Sequence, residues 1–172
     1  MGSLLWPAIL LGLGLGGFLD GIVLHQLLQW HHMLSKTYPP STLYNLELNT
    51  LADGFFHLST WILVVVGLAM LYRAREGLRR PGSGRMLLGG ALAGWGLFNL
   101  VEGLIDHHIL GLHHVRPGAN ELLFDLGFLL WGVVILTAGI WLHRLGTRLE
   151  KQPVEHEPGR EKTIKRPSAS PK

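Results

Sequence analysis

Four runs of apolar residues, at about 4–30, 50–72, 86–110 and 121–143, alternate with shorter polar connections. Each run is long enough to cross the hydrocarbon layer of a bilayer, which takes about 20 residues of helix. Backbone inside a membrane must satisfy its own hydrogen bonds, so the pattern predicts four transmembrane helices. The first run has no Lys or Arg before Lys36 and no small-residue cleavage pattern, so it reads as a retained helix rather than a signal peptide. Residues 1–146 therefore form the transmembrane domain. Residues 147–172 are polar, basic and Pro-containing, and are expected to be a disordered cytoplasmic tail.

Charge placement sets the expected orientation. Arg73, Arg75, Arg79, Arg80 and Arg85 crowd the second connection, and eight further basic residues lie at or after the end of the fourth helix. Only Lys36 and Arg116 fall in the other two connections. By the positive-inside rule both termini and the middle loop face the cytoplasm, and the first and third loops face outward. The tail's basic residues fit a membrane-surface role better than nucleic-acid binding.

The polar residues inside the apolar runs are not scattered. Asp20, His25, His31, His32, Asp53, His57, Glu102, Asp106, His107, His108, His113, His114, Glu121 and Asp125 all fall at the outward ends of the helices or just beyond them. The opposite half holds little but apolar side chains, glycines and Asn99.

An internal repeat underlies this layer. GLGLGGFLDGIVLHQLLQWHHM (12–33) aligns with GWGLFNLVEGLIDHHILGLHHV (94–115) at an offset of 82 residues, with eight of 22 positions identical. The coincident residues include His25/His107, His31/His113 and His32/His114, with Asp20 over Glu102. Asp53 can be set over Asp125 at an offset of 72, although nothing matches His57. The expected fold is an all-α integral membrane four-helix bundle made of two tandem hairpins of the same orientation.

At helical spacing, His25, Gln29 and His32 share one face of the first helix, and Asp20 and His31 another. On the third helix His107 and His114 share a face, and Glu102, Asp106 and His113 the other. Asn49, Asp53 and His57 fall on a single stripe. Carboxylates within a membrane span are costly and mark ion paths, proton relays or partnered sites. Imidazole plus carboxylate without thiolate (the chain has no cysteine) suits copper, iron or zinc. The competing uses are proton handling, a haem held between His25 and His107, and a purely structural polar network. His143 and His156 read as single interfacial histidines. GLGLGG (12–17) follows no strand, so it reads as helix packing rather than a dinucleotide loop.

The stretches GFLDGIVLHQLLQWHHML (17–34) and NLELNTLADGFFH (45–57) resemble a family of small bacterial four-helix predicted membrane proteins of unknown function, over about residues 10–145. The resemblance implies a bacterial inner-membrane protein with a link to respiratory oxidase assembly. It supplies no activity, cofactor or catalytic residue. Two function classes follow. One is a non-catalytic accessory factor that binds transition metal at the outer face for a respiratory membrane complex. The alternative is a membrane metal-dependent oxidoreductase or monooxygenase. An enzyme should show a lipid-accessible cavity beside the metal, and a carrier an exposed, low-coordinate site.

Overall fold

The computed structural model describes residues 3–151. The expected tail beyond residue 151, and His156 with it, lies outside the described residues. Every regular element among the described residues is helical. α1 (Leu5–Asp20) continues as a π-helical segment (Gly21–Leu27), and α2 (Leu43–Arg73) leads through a short 3-10 turn (Arg75–Arg79). α3 (Ser83–Glu102) continues as a second π-helical segment (Gly103–Ile109), and α4 (Glu121–Glu150) ends the described chain.

Four helices are long and apolar enough to span a membrane, namely Leu5–Leu27, Leu43–Arg73, Ser83–Ile109 and Glu121–Glu150. Two bounds differ from expectation. α2 starts at residue 43 instead of about 50, because the Thr42 side chain accepts a hydrogen bond from the Asn45 amide and caps a polar first turn. α4 continues past 143 to Glu150, where Arg80 Nη1 donates to Glu150 Oε1 at 2.9 Å and ties its end to the α2–α3 connection.

α1 and α3 form the central pair; α2 packs on α1 and α4 on α3. Small residues make these approaches possible, as helix association in lipid requires. A Cβ on Gly12 would collide with the main chain of Ala91, and one on Gly94 with the main chain of Ile9. Gly89 and Gly139 oppose each other's helices in the same way across α3 and α4. The GLGLGG run is thus a packing surface: Gly12, Gly14, Gly16 and Gly17 are all buried against neighbouring helices.

The interior is polar where a water-soluble protein would be apolar. The largest fully buried side chains are His25, His113, Asn49, Asp53, Asp125 and Pro7, while Leu, Val, Ile and Trp side chains cover the outside. At the arginine-rich end His143, as expected of an interfacial histidine, is hydrogen-bonded: its Nδ1 lies 2.8 Å from the Met86 carbonyl. The buried histidines, His25, His31, His107 and His113, gather at the other end.

Candidate metal centre

Two π-helical turns build the centre. An α-helix places residues five apart on different faces, and on that basis Asp20 and His25 were expected to diverge. The structure corrects this. From Gly21 and from Gly103 the chain switches to wider turns, closed by Leu28 N–H to Val23 O (2.8 Å) and Leu110 N–H to Ile105 O (2.7 Å). The wider turn carries His25 Nε2 to 3.2 Å from Asp20 Oδ2, and His107 Nε2 to 3.0 Å from Glu102 Oε1.

Each chain then reverses through a left-handed residue, Gln29 (φ 47°) and Gly111 (φ 56°), which stand 82 positions apart. The reversal returns a His-His pair toward the bundle. Gln29 carries a strain of about 1–2 kcal/mol that its counterpart Gly111 avoids. Glycine's unfolded-state entropy offsets part of this, about 0.5–1 kcal/mol. The Gln29→Gly variant is therefore expected to be more stable by about 0.5 kcal/mol. Thermal unfolding in detergent measures it, and a lower midpoint would contradict the strain argument.

One aspartate receives each returning pair. Asp53 takes His25 Nδ1 (2.9 Å), His32 Nδ1 (2.7 Å) and the Met33 amide (2.9 Å). Asp125 takes His114 Nδ1 (2.7 Å) and the Val115 amide (2.9 Å), with His107 Nδ1 at 3.6 Å. Both oxygens of Asp53 and of Asp125 are hydrogen-bonded, which orients the imidazoles, and neither aspartate falls in the groups that could hold a metal ion.

The two halves also cross. His31 Nδ1 donates to the Val115 carbonyl (2.8 Å), and His113 Nδ1 lies 3.3 Å from the Met33 carbonyl. Their rings stack at 4.5 Å between centroids, 8° from parallel. A carbonyl only accepts, so each Nδ1 carries a hydrogen, and Nε2 is the ring atom each histidine turns toward the cluster. Burial first, then the neighbouring His113 and His25, push His31 down to about 3, so its imidazole is neutral throughout the neutral range. Its Nε2 is buried without a hydrogen-bond partner.

Two groups result that could hold a metal ion: His25, His31 and His113, and Glu102, His107 and His113, with the ligand atoms of each within 4.8 Å of one another. His113 belongs to both. Its Nε2 is hydrogen-bonded to Glu102 Oε1 at 3.0 Å. His31 Nε2 and Glu102 Oε2 are buried without hydrogen-bond partners, while Asp20 Oδ2 with His25 Nε2 and Glu102 Oε1 with His107 Nε2 face each other as ion pairs without hydrogen bonds of good geometry. A buried polar atom left unsatisfied costs about 1–3 kcal/mol, and a metal ion is one group that could satisfy these atoms together.

The halves differ by one methylene. Glu102 reaches both His107 and His113 at 3.0 Å, whereas the shorter Asp20 reaches His25 alone.

Of the fourteen residues singled out from sequence, ten belong to this network: Asp20, His25, His31, Asp53, Glu102, His107, His113 and Asp125, with His32 and His114 half-buried at its edges. His114 matches His32 at the other edge. His57 donates to the Asp53 carbonyl (2.8 Å) and stands outside both triads. Asp106 is half-buried, and His108 and Glu121 are exposed. Glu121 lies 3.9 Å from His114 Nε2. The rings of His25 and His31 lie 4.4 Å apart and those of His107 and His113 4.8 Å apart, so His31 and His113 fill the space a haem between His25 and His107 would need.

Three residues at or beside the cluster were not singled out as site residues from sequence, and one of them, Asn99, was placed in the opposite half but lines the same cleft as Asp20. Lys36 Nζ sits 3.2 Å from His114 Nε2. Asn49, noticed only as part of a stripe, accepts from the Leu34 amide (3.0 Å) and donates to the Tyr38 carbonyl (2.7 Å), holding the first His-His loop in place. Asn99 is buried close to the cluster, its Oδ1 without a partner. A buried amide among glycines was the available signal for the last.

Fold and site together define an all-helical membrane protein with a polar His/carboxylate core at one end of its spans. The chain belongs to the family described as predicted membrane protein (DUF2243), which matches residues 7–146. No curated protein and no solved structure matches it.

Proposed function

We propose that this protein is a membrane metalloprotein that retains transition-metal ions, copper, iron or zinc, in the buried His/carboxylate cluster. The observation that carries the proposal is the set of inward-facing imidazole nitrogens and carboxylate oxygens without hydrogen-bond partners, His31 Nε2 foremost. His25, His31, His107 and His113, with Glu102, supply ligand atoms. Asp53 and Asp125 hold the imidazoles from behind, and His32 and His114 close the cluster. The basic residues of the α2–α3 connection and of the end of α4 support cytoplasmic termini in a bacterial inner membrane, with the cluster on the outer side. A depression of about 160 Å³ bordered by Lys36, His114 and Glu121 reaches His113 and offers an entry path.

Burial bears on the choice between delivery and catalysis. His25, His31 and His113 are at most 2% exposed. A factor that hands metal to a respiratory complex needs an exposed site, and this one would have to open first. The buried cluster favours a retained ion and with it the oxidoreductase reading. One observation favours a proton-relay role instead: His25 lies between Asp20 (3.2 Å) and Asp53 (2.9 Å), as an imidazolium between two carboxylates would.

Metal analysis and an absorption spectrum of protein purified without chelator decide between them. Stoichiometric transition metal that persists through dialysis is the expected result. Trace metal only would overturn the proposal and leave the relay.

A further inference from the structure

Toward the arginine-rich end of the bundle two hollows adjoin on its surface. A groove of about 320 Å³ lies between α1, α3 and α4, walled by Leu5 and Ile9, by Leu97, and by Leu136 and Ile140. It is apolar except where His143 and Arg144 join it. The second hollow, of about 310 Å³, follows α4 and is lined by Thr137, Trp141, Arg144 and Arg148 among others. Ile140 and Arg144 line both, so the two meet at Arg144. The depth of that meeting point is fixed by packing: Gly82, at the start of α3, abuts the main chain of Gly146. Arg144 therefore stands within one helical turn of the α2–α3 connection, at the boundary of the spans. Arg144 and Arg148 are exposed and four residues apart, on one face of α4. Glu150 is taken by Arg80 and Glu76 by Arg79, and among the described residues neither Arg144 nor Arg148 has a carboxylate partner.

We propose that these hollows bind one anionic phospholipid, its phosphate held by Arg144 and Arg148 and one acyl chain laid in the groove between α1, α3 and α4. A guanidinium stays charged and matches phosphate oxygens with paired donors, and two of them one turn apart converge on a single anionic group. The groove has room for about ten groups of water's ~30 Å³, the bulk of an acyl-chain segment. Trp141, exposed beside the arginines, belongs to the kind of aromatic residue that settles at head-group level. The charge selects among occupants. An apolar helix of a second copy would fill the groove and leave both guanidinium groups without an anion, and a soluble anion would leave the groove empty. A zwitterionic head group would bring its own cation against the arginines. An anionic lipid satisfies both hollows at once.

This site lies at the opposite end of the bundle from the His/carboxylate cluster and does not depend on the metal reading. The test is native mass spectrometry of the full chain in detergent, titrated with dioleoyl phosphatidylglycerol and with dioleoyl phosphatidylcholine. One phosphatidylglycerol is expected to bind about 20-fold tighter than phosphatidylcholine, with about fivefold from each basic residue facing an anionic head group. Arg144→Gln with Arg148→Gln, both at exposed positions, should remove that preference. Arg73→Gln with Arg75→Gln makes the same change of charge at residues that line neither hollow, and should leave it intact. Leu97→Trp, at a partly exposed wall of the groove, should weaken both lipids by filling the space of the chain. Equal affinity for the two lipids, a preference that survives in Arg144→Gln/Arg148→Gln, an equal loss in Arg73→Gln/Arg75→Gln, unchanged binding in Leu97→Trp, or a protein dimer formed in place of the lipid adduct would each overturn the proposal.

Discussion

Replacing His113 by alanine is expected to strip the whole cluster of metal, whereas His57→Ala and His108→Ala leave metal content unchanged. His113 is the one residue common to both candidate ligand groups, and it is fully buried, with Nδ1 held toward the Met33 carbonyl and Nε2 facing Glu102. Losing a partner behind a ligand costs about 10–100-fold in metal affinity, so losing a ligand shared by two groups should cost at least about 100-fold. His57 stands outside both groups and His108 is exposed, so neither removal touches a ligand atom. His113→Gln, which keeps a polar side chain in the same space, separates ligand loss from collapse of the ring stack with His31. Metal analysis beside thermal unfolding reads both effects. A His113→Gln protein that folds and still holds stoichiometric metal would exclude these triads as the binding site.

The four spans were legible because apolar length is a direct demand of the bilayer, and the polar layer was legible because ionisable residues inside a span need a reason. The recurrence of Asp/Glu, His and His-His at an offset of 82 also pointed to corresponding positions. His25 and His32 meet Asp53 much as His107 and His114 meet Asp125. What failed was the assignment of faces. Helical spacing assumes 3.6 residues per turn, and the motif sits where that number lapses. Acid and histidine five apart make sense only on a π-helical turn, and nothing in periodicity announces one. The stacking of His31 on His113 was out of reach for a related reason. It depends on left-handed turns at Gln29 and Gly111, and only the glycine signals such a backbone. Asp53 and Asp125 were singled out from sequence with the role open. Their oxygens turn out to be occupied by backbone amides and imidazole nitrogens, which sequence cannot count.

The second large effect lies away from the candidate metal ligands, at the crossing of α1 and α3. Gly94→Ala is expected to destabilise the protein by about 3 kcal/mol, and Gly94→Leu to prevent native assembly. A Cβ on Gly94 would collide with the carbonyl of Ile9, and its Cα and carbonyl carbon are also within 3.0 Å. Gly12 meets Ala91 in the same way, and the two contacts correspond at an offset of 82. The obstacle is main chain rather than the end of a flexible side chain, so neither helix can yield without moving the other. Against a total stability of about 5–15 kcal/mol, 3 kcal/mol is a large fraction. Gly127 supplies the control: it lies within α4 with nothing near its would-be Cβ, and Gly127→Ala should stabilise by up to about 1 kcal/mol through helix propensity. The opposite signs separate close packing from any general cost of altering a membrane glycine, and equal unfolding midpoints for the two alanine variants would refute the crossing argument. The crossing also sets the separation of Asp20 and Glu102, where the two π-helical turns begin. Metal content should therefore fall in Gly94→Ala although no ligand has changed.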